Sequence, residues 1–286
     1  MAVKQPRRCF MDNLNPFALD YVEPKQDDIF DAFDRERIDA PKPDHQPAKA
    51  AAPKKEHSGK RGMVIHDQFE QGSEAWLQAR CGLLTASEMK LIITPTLKIA
   101  NNDKVKLHLY ELLAQRVNNY VEPHFQSYDM ERGNFDEEHA RGKYRETYAP
   151  VTECGFITND KWGFTIGYSP DGLVGDDGLI ECKSRVQKWQ MKTLVENVSK
   201  GEIPDDYVMQ IQTGLLVSER KWCDFISYSG GMVMPVVRVF PIPEIQDAIL
   251  AAAADFEARL ADARAVYDNL IASDARLIPT ERLMQL

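Results

Sequence analysis

The residues with the clearest chemical potential lie in two short stretches of the chain, Ser169-Pro-Asp-Gly172 and Glu181-Cys-Lys183. Glu181 and Lys183 are two residues apart on a predicted strand, so their side chains project from the same face of a sheet. A hairpin turn between the two stretches brings Asp171 back beside that face. Two carboxylates and one ammonium group are therefore expected to meet on a sheet whose other strand positions are apolar.

Such a cluster suits a divalent cation and phosphodiester chemistry. Carboxylate oxygens are preferred ligands of Mg²⁺, which keeps several of its waters and binds substrate phosphates. We expect Asp171, Glu181 and the backbone carbonyl of Cys182 to hold this ion, with Mn²⁺ as an alternative, and Lys183 to orient or deprotonate an attacking water. These residues favour metal-assisted hydrolysis of a phosphodiester. The alternative is a surface strand with a weak Glu181–Lys183 pair, although charges on an apolar sheet are costly unless they are paired or metal-bound.

A charged helix predicted over residues 128–148 offers a further carboxylate, that of Glu137. Its position also allows an ordinary i,i+4 ion pair with Arg141, and helix position alone favours that pair. The buried stripe of this helix is predicted to consist of Ala140, Tyr144 and Tyr148.

A second helix, predicted over residues 207–217, places polar groups close to the same region. Its candidate residues are Tyr207, Gln210 and Gln212. Gln210 and Gln212 cannot face the same way on a helix. We expect one of them to point towards the site, where it can hold a water or a phosphate, and the other to face solvent.

A candidate anion site precedes these elements in the chain. Arg80 ends a helix predicted over residues 73–80, and Thr85-Ala-Ser-Glu88 is a capping box that opens the next helix. Ser87 lies in the first turn of that helix, where free N–H groups and the helix dipole attract anions. Arg80 adds a bidentate grip, so the two residues fit a terminal phosphate. The alternative is simple helix capping beside a solvated arginine.

The elements that must position these residues alternate between strands and helices. A hydrophobic period of two predicts strands around the carboxylates, and a period near 3.6 predicts helices on either side. The fold class is therefore mixed α/β (α+β), with a small central mixed sheet flanked by helices. The long last helix has an apolar stripe that lies on its own domain or forms an oligomer seam. The predicted strands are 151–158, 163–168 and 178–183, which are adjacent, with 222–228 and 232–240, and the other predicted helices are 104–118, 186–200 and 244–271.

Composition limits the class of protein. The chain has 286 residues, 43% of them hydrophobic, and can bury a large core. No apolar run is long enough to span a membrane, and the first ten residues lack the apolar segment of a secretion signal. The five cysteines are scattered without a CxxC or Cys/His cluster, so neither a disulfide framework nor a zinc or iron–sulfur site is expected. These features favour the cytoplasm.

The charge is unevenly distributed along the chain. The net charge is −9, and residues 62–286 contain 23 Lys/Arg against 33 Asp/Glu, or −10. This balance excludes a protein that holds nucleic acid by bulk charge, so DNA binding would need a local site. Residues 1–61 are rich in Asp, Lys and Pro and are predicted to form a disordered or extended tail, in which Asn15–Asp20 is a candidate docking motif. Residues 62–286 are predicted to form the remaining domain.

Four blocks of the chain carry a family resemblance. They are GSEAWLQARCGLLTASE (72–88), ERGNFDEEHAR (131–141), SPDGLVGDDGLIECK (169–183) and YVMQIQTGLLVSERKWCDFISY (207–228). In their order and spacing they resemble the YqaJ and lambda-exonuclease group of phage recombination nucleases, a branch of the PD-(D/E)xK superfamily. The resemblance covers most of residues 63–228, does not extend to residues 1–61, and is weak after Phe240.

The resemblance implies a restriction-endonuclease-like core and a metal site within it. It implies that Asp171, Glu181 and Glu137 hold Mg²⁺ beside a catalytic Lys183, which reverses the preference for a purely structural Glu137. Gln210 matches the family's glutamine near the active site.

The resemblance also implies residues that bind the substrate. Arg80 and Ser87 match a pocket for the 5′-phosphate of the degraded strand, and Met130 falls where an apolar wedge helps to part the strands, although a core methionine fits the same position. We also assign Tyr207 to DNA binding. The family often has Cys-Pro after the catalytic lysine, whereas Ser184-Arg185 follows here and is expected to alter the adjoining DNA track.

The implied activity is a Mg²⁺-dependent, two-metal 5′-to-3′ exonuclease acting on double-stranded DNA. It would leave a 3′ single strand for an annealing protein in phage or prophage recombination, as a ring-shaped trimer in the cytoplasm of a bacterial host. One alternative is a structure-specific endonuclease or nickase of the same fold. Another is a catalytically silent DNA-end or protein-binding module, which the intact Asp171, Glu181 and Lys183 argue against. The missing cysteine cluster disfavours an iron–sulfur nuclease.

Overall fold

The computed structural model of this protein describes residues 62–122 and 128–282. The predicted tail, residues 1–61, and its candidate docking motif lie outside these residues. No helix of the described part is both long enough and apolar enough to cross a bilayer. The helices of the described part are α1 (Glu74–Ala79), α2 (Met89–Ile92), α3 (Asp103–Asn118), α4 (Tyr128–Thr147), α5 (Gln187–Lys192), α6 (Asp205–Ser218) and α7 (Pro243–Ile271).

The strands of the described part form two four-stranded sheets. The first has the order β1-β3-β4-β2 and the second β5-β6-β7-β8, and each contains both parallel and antiparallel pairs. This arrangement confirms the predicted mixed α/β class, with two small mixed sheets instead of one. The strands are β1 (Met63–His66), β2 (Leu84–Thr85), β3 (Phe156–Asn159), β4 (Ile166–Tyr168), β5 (Gly172–Val174), β6 (Gly178–Ser184), β7 (Trp222–Tyr228) and β8 (Val236–Val239).

The predicted adjacency of three strands near the carboxylates is wrong at one boundary. Strand β3 pairs with β4, but β6 belongs to the second sheet, where it pairs with β5 and β7. The chain leaves the first sheet at Tyr168 and enters the second at Gly172. Pro170 lies between them and has no N–H to continue a ladder. Asp171 is therefore held at the junction of the two sheets.

Strand β6 is buried on both faces, as expected for a strand between two neighbours and under helices. It runs parallel to β7 in a register that pairs Glu181 with Phe225. Leu179 on one face contributes to the large core, while Ile180 and Cys182 on the other face pack in a smaller apolar cluster with Ala140 and Tyr144 of α4. Because the period is two, Glu181 and Lys183 share the face of Leu179.

Helix α4 covers the second sheet. Ala140 and Tyr144 are buried as predicted, but Tyr148 is 61% exposed, so the predicted stripe is wrong at its last position. The helix ends at Thr147, and Tyr148 lies just beyond its last turn. Deep in the contact, the Tyr144 hydroxyl donates a 2.6 Å hydrogen bond to Asp224 of β7. This bond ties α4 to the strand beside β6.

Helix α7 closes the opposite side of the domain, where it packs on α2, α3 and α6. Its apolar stripe is buried up to Leu260 and becomes exposed at Tyr267 and Leu270. The stripe therefore lies on its own domain along most of its length. The segment after β6 begins as α5, continues as a π-helical turn and a 3₁₀ turn, and ends at Gly201, which adopts a positive φ of 75°. The α6 bounds agree with the predicted helix within two residues.

Candidate active site

Glu181 is the centre of a polar cluster inside the protein. Its side chain is 1% exposed, yet each carboxylate oxygen accepts hydrogen bonds. Oε1 accepts from the Lys183 ammonium and from the Gln210 amide, and Oε2 accepts from the Tyr168 hydroxyl at 2.9 Å. The predicted meeting of Glu181 and Lys183 on one face of β6 is confirmed.

Asp171 reaches the same region from the junction of the two sheets. It is 9% exposed, and its Oδ2 accepts a hydrogen bond from the backbone N–H of Cys182 in β6. That bond fixes the carboxylate against the strand that carries Glu181 and Lys183. Cys182 itself turns its thiol into the small apolar cluster, where burial raises the thiol pKa well above its ordinary value.

Glu137 approaches from α4, and the structure shows the ion pair that helix spacing predicts. The Arg141 guanidinium lies 3.4 Å from the Glu137 carboxylate and also donates a 3.2 Å hydrogen bond to the backbone carbonyl of Asp171. Arg141 therefore joins α4 to the junction that carries Asp171. The pairing does not remove Glu137 from the cluster, because its carboxylate still repels that of Glu181.

The charges of the cluster shift one another's protonation. Burial raises the pKa of Asp171 well above its ordinary value, and repulsion from Glu181 and Glu137 raises it further. Burial likewise raises the pKa of Glu137. Burial alone would lower the pKa of Lys183, but the attraction of Glu181 and Asp171 outweighs it and raises that pKa. The three carboxylates therefore share an excess of negative charge that Lys183 and Arg141 only partly offset.

The donor set fits a hard divalent cation. Asp171, Glu181 and Glu137 supply only oxygen ligands, they lie in a poorly solvated region, and they repel one another, so a cation would stabilise their charged forms. Within residues 62–122 and 128–282, no group of three or more His, Cys, Asp or Glu side chains is arranged to hold a metal ion. In this arrangement Lys183 and Arg141 are the counter-charges to the carboxylates.

The two glutamines of α6 face different directions, as predicted, but neither faces solvent. Gln210 points into the cluster and donates to Glu181. The expectation that Gln212 faces solvent is wrong, because its side chain is fully buried. Its side-chain NH₂ donates to the backbone carbonyl of Phe240, and its side-chain oxygen accepts from the N–H of Ile242. Gln212 therefore pairs two backbone groups of the loop between β8 and α7.

Tyr207 forms one wall of the cluster. Its ring stacks on Phe225, and the Lys183 ammonium lies 5.4 Å from the ring centroid. The Arg185 guanidinium lies over the same ring at 4.8 Å. The ring thus contacts both Lys183 of β6 and Arg185 of the chain segment that follows it.

Arg80 and Ser87 lie together in a second polar group, which Trp76 links to the Ser169 hydroxyl, two residues before Asp171 in the chain. The Arg80 guanidinium stacks on the Trp76 ring at 4.1 Å and donates a 3.3 Å hydrogen bond to the Thr85 hydroxyl, which also bonds to Ser87. Glu88 completes the predicted capping box by accepting from the Thr85 N–H. Burial lowers the pKa of Arg80, against the attraction of Glu88. Arg80 is therefore a half-buried, oriented cation and not the solvated side chain of the alternative interpretation.

Met130 lies near the start of α4, and its side chain is 51% exposed. Met130 is therefore not a core residue, so the interpretation of this position as a core methionine is wrong. Exposed apolar neighbours on the same helix are Tyr128 and Phe135.

Two residues of the cluster are missing from the sequence prediction. The sequence predicts Tyr168 only as the end of a strand, yet its hydroxyl bonds to Glu181, and it predicts Arg141 only as a partner of Glu137. A tyrosine at the end of a strand, three residues before Asp171, is a signal that could have indicated the first contact. Nothing in the sequence indicates that Arg141 also reaches the backbone of Asp171.

A tight contact beneath Tyr168 gives a testable prediction. A Cβ added at Gly214 of α6 would lie 2.6 Å from the Tyr168 ring, so the Gly214→Ala substitution should displace that ring from Glu181. We expect it to lower the free energy of unfolding by about 1–3 kcal/mol, as overpacking does. Denaturant titration measures this loss. Gly230→Ala, where nothing lies within 4 Å of the added Cβ, is the control, and equal stability of both variants would contradict the packing account.

The fold and the cluster define a class of protein, namely a mixed α/β protein with an acidic, lysine-containing site on a central strand. The sequence profile of the YqaJ-like viral recombinase domain matches residues 75–221, about half of the chain. The chain belongs to the YqaJ-like viral recombinase family. Among curated proteins, none gives a significant sequence match.

Two solved structures extend this assignment. The alkaline exonuclease LHK-Exo from Laribacter hongkongensis is 30% identical, with a TM-score of 0.57, and the match covers 69% of this chain and 100% of that one. The structure of LHK-Exo in complex with dAMP is 31% identical, with a TM-score of 0.58 and the same coverage. The predicted family resemblance is confirmed.

Proposed function

We propose that this protein is a Mg²⁺-dependent deoxyribonuclease that degrades one strand of duplex DNA from a 5′-phosphorylated end in the 5′-to-3′ direction. Membership of the recombinase family supports a nuclease acting on DNA, and the similar LHK-Exo is an exonuclease. The observation that carries the proposal is the cluster of Asp171, Glu181 and Lys183 at the junction of the two sheets. Digestion of a linear duplex from its phosphorylated end tests it.

The residues of the cluster have separate roles in this proposal. Asp171, Glu181 and Glu137, with the carbonyl of Cys182, would hold the divalent cations, which supply Lewis-acid stabilisation of the charge that develops on the phosphate. Lys183, whose ammonium donates to Glu181, is placed to orient a water and to donate hydrogen bonds to the phosphate oxygens. This assignment favours the orienting role of Lys183 over that of a general base.

Tyr168 and Gln210 are positioning residues. Their hydrogen bonds to the two oxygens of Glu181 hold that carboxylate in one rotamer. A carboxylate fixed in this way keeps its geometry when the substrate arrives, which lowers the reorganisation needed in the transition state.

The phosphate specificity is proposed to come from Arg80 and Ser87. The guanidinium is oriented by Trp76 and Thr85, and the exposed Ser87 hydroxyl lies at the start of the following helix. A deoxynucleoside monophosphate, dAMP, is bound by LHK-Exo, which supports recognition of a nucleotide phosphate in this family. Met130 and Tyr207 are proposed to contact the DNA strands.

The Arg80→Ala variant should lose the preference for phosphorylated ends. Removing a charge-assisted hydrogen bond costs about 1.5–3 kcal/mol, so digestion of a 5′-phosphorylated duplex should slow by about 10- to 100-fold, with little change on a 5′-hydroxyl duplex. Initial rates on the two substrates measure this difference. Gln78→Ala on the same helix is the matched control. An equal slowing on both substrates would contradict the assignment.

The assembly and the partner are also proposals. By family analogy we propose a homotrimer around DNA in a bacterial cytoplasm, with a single-strand annealing protein as its partner. Light scattering should give about three times the chain mass of 32.5 kDa, and a monomer would contradict the trimer.

A further inference from the structure

The segment that follows the catalytic strand has a charge opposite to that of the chain. Residues 185–200 contain four Lys/Arg and one Asp/Glu, or +3, whereas the whole chain carries −9. Helix α5 lies within this segment. A local concentration of positive charge on an acidic protein is the kind of site that DNA binding was predicted to require.

The outer face of α5 presents an aromatic ring between two cations. Trp189 is 47% exposed, and the ammonium groups of Lys188 and Lys192 lie 5.4 and 5.6 Å from its ring centroid. Lys192 also lies 3.7 Å from Glu196, and both side chains of that pair are more than half exposed. An exposed indole flanked by ammonium groups offers a stacking surface for a base and contacts for the phosphates on either side of it.

This face is held in place from beneath. Gln190 is fully buried, and its amide donates to the backbone carbonyls of Ser227 and Val233 at 3.0 and 2.8 Å. The Ser227 hydroxyl donates back to the Gln190 carbonyl at 2.6 Å. Because Gln190 points inwards to the end of β7, its neighbour Trp189 is directed away from the core. The stacking surface is therefore fixed on the second sheet.

Arg185 connects this face to the catalytic cluster. Its guanidinium lies over the Tyr207 ring that Lys183 also contacts. Its backbone N–H donates a 2.7 Å hydrogen bond to the backbone carbonyl of Tyr228. Its Nε is buried without a hydrogen-bond partner, which is unusual for a charged donor. The terminal Nη groups of the same guanidinium are not buried, so they are the donors that a DNA phosphate beside Tyr207 would meet.

We propose that Arg185, Lys188, Trp189 and Lys192 form a track for single-stranded DNA that leads away from the catalytic cluster. Stacking on Trp189 requires an unpaired base, so the track favours a single strand over a duplex. Its occupant is the undegraded 3′ strand, which rests on the proposed exonuclease function. Exposed apolar neighbours on the same segment, Val186 and Met191, are compatible with the faces of further bases.

The test measures binding of a 3′-labelled, 30-nucleotide single strand to the full chain in EDTA, where hydrolysis is prevented. Trp189→Ala should weaken binding by about 5- to 150-fold, the effect of losing one stacked base, while Trp189→Phe retains most of the affinity. A blunt duplex of the same length should bind both variants like the wild type.

The contribution of Lys188 and Lys192 is measured separately, through the salt dependence of single-strand binding. The double variant Lys188→Ala/Lys192→Ala should reduce the slope of log affinity against log salt by about 1.4, because each phosphate contact on a single strand contributes about 0.7. Lys161→Ala/Lys221→Ala is the matched control, since Lys161 also lies beside an indole, that of Trp162, at 5.1 Å. It should leave the slope unchanged.

Unchanged single-strand affinity in both the Trp189→Ala and the lysine variants overturns the track. Digestion of a 5′-phosphorylated duplex by the wild type, measured in parallel, separates this failure from that of the proposed function. If the wild type digests the duplex and the variants bind like it, the track is wrong. If the wild type does not digest the duplex and Trp189→Ala loses affinity, the exonuclease assignment is wrong and the track stands.

Discussion

The Lys183→Ala variant should lose hydrolysis of linear duplex DNA while it keeps binding to DNA ends. Lys183 supplies an ammonium group at the centre of the cluster, where it contacts Glu181. Removing one preorganised electrostatic group from an active site lowers the rate by about 10²–10³-fold, which approaches the detection limit of a digestion assay. A digestion time course in Mg²⁺ and a binding titration in EDTA measure the two properties separately.

Two further variants separate the role of the Lys183 ammonium from the loss of any lysine and from the loss of packing. Lys221→Ala removes an exposed lysine, paired with Asp177, from the loop before β7 and should leave both properties unchanged. Both substitutions leave the buried Glu181 charge without its partner and can destabilise the fold, so Lys183→Met, which keeps a long aliphatic side chain, avoids the additional loss of packing that alanine causes. Full digestion by both Lys183 variants would show that the ammonium group has no part in catalysis.

The Asp171→Asn variant should hydrolyse DNA more slowly than the wild type but have a more stable fold. Substitution beyond the ligands of a metal site already costs about 10- to 100-fold, so loss of a proposed ligand should reduce hydrolysis by at least about 100-fold. The asparagine carbonyl still accepts from the Cys182 N–H, but the buried negative charge is gone. We therefore expect a higher melting temperature, by roughly 2–4 °C for each kcal/mol gained.

The size of this gain in stability depends on pH. The folded-state pKa of Asp171 is raised above its ordinary value of 3.8, so the native protein holds this proton more tightly than the unfolded chain. The stability that this proton contributes is therefore fully present below the ordinary pKa, and it is lost as pH rises through the folded-state pKa. The melting-temperature advantage of Asp171→Asn in EDTA should be largest at about pH 8 and shrink towards about pH 4.

Mg²⁺ gives the matching control for Asp171. A bound cation stabilises the native state by linkage, so Mg²⁺ should raise the melting temperature of the wild type more than that of Asp171→Asn. An equal response of the two proteins to Mg²⁺, together with no advantage of Asp171→Asn in EDTA, would contradict the assignment of Asp171.

The local features of the fold could be predicted because they depend on short spacings. Alternation along one strand places Glu181 and Lys183 together, and the strand over 222–228 has the predicted bounds. Helix α6, which precedes that strand and carries Gln210, also forms where its apolar period predicts it. The capping box at Thr85 and Glu88 forms as its residue types require. Each of these is decided within a few residues of the chain.

The wrong predictions concern choices made between distant parts of the chain. Strand β6 has β5 on one side and β7, about 40 residues later in the chain, on the other, so β4 stays in the first sheet between β3 and β2. Gln212 is buried because the β8–α7 connection, 28 to 30 residues further on, offers it a carbonyl and an N–H. No local pattern around Gln212 contains that information.

The central claim is tested most directly by one time course on linear duplexes that carry either a 5′-phosphate or a 5′-hydroxyl, in Mg²⁺ and in EDTA. A closed circular duplex is included to detect endonuclease activity. The account predicts rapid loss of the phosphorylated strand from its 5′ end in Mg²⁺, slower digestion of the hydroxyl duplex, an intact circle and no reaction in EDTA. Cleavage of the circle, indifference to the 5′-phosphate, or undiminished digestion in EDTA would contradict it.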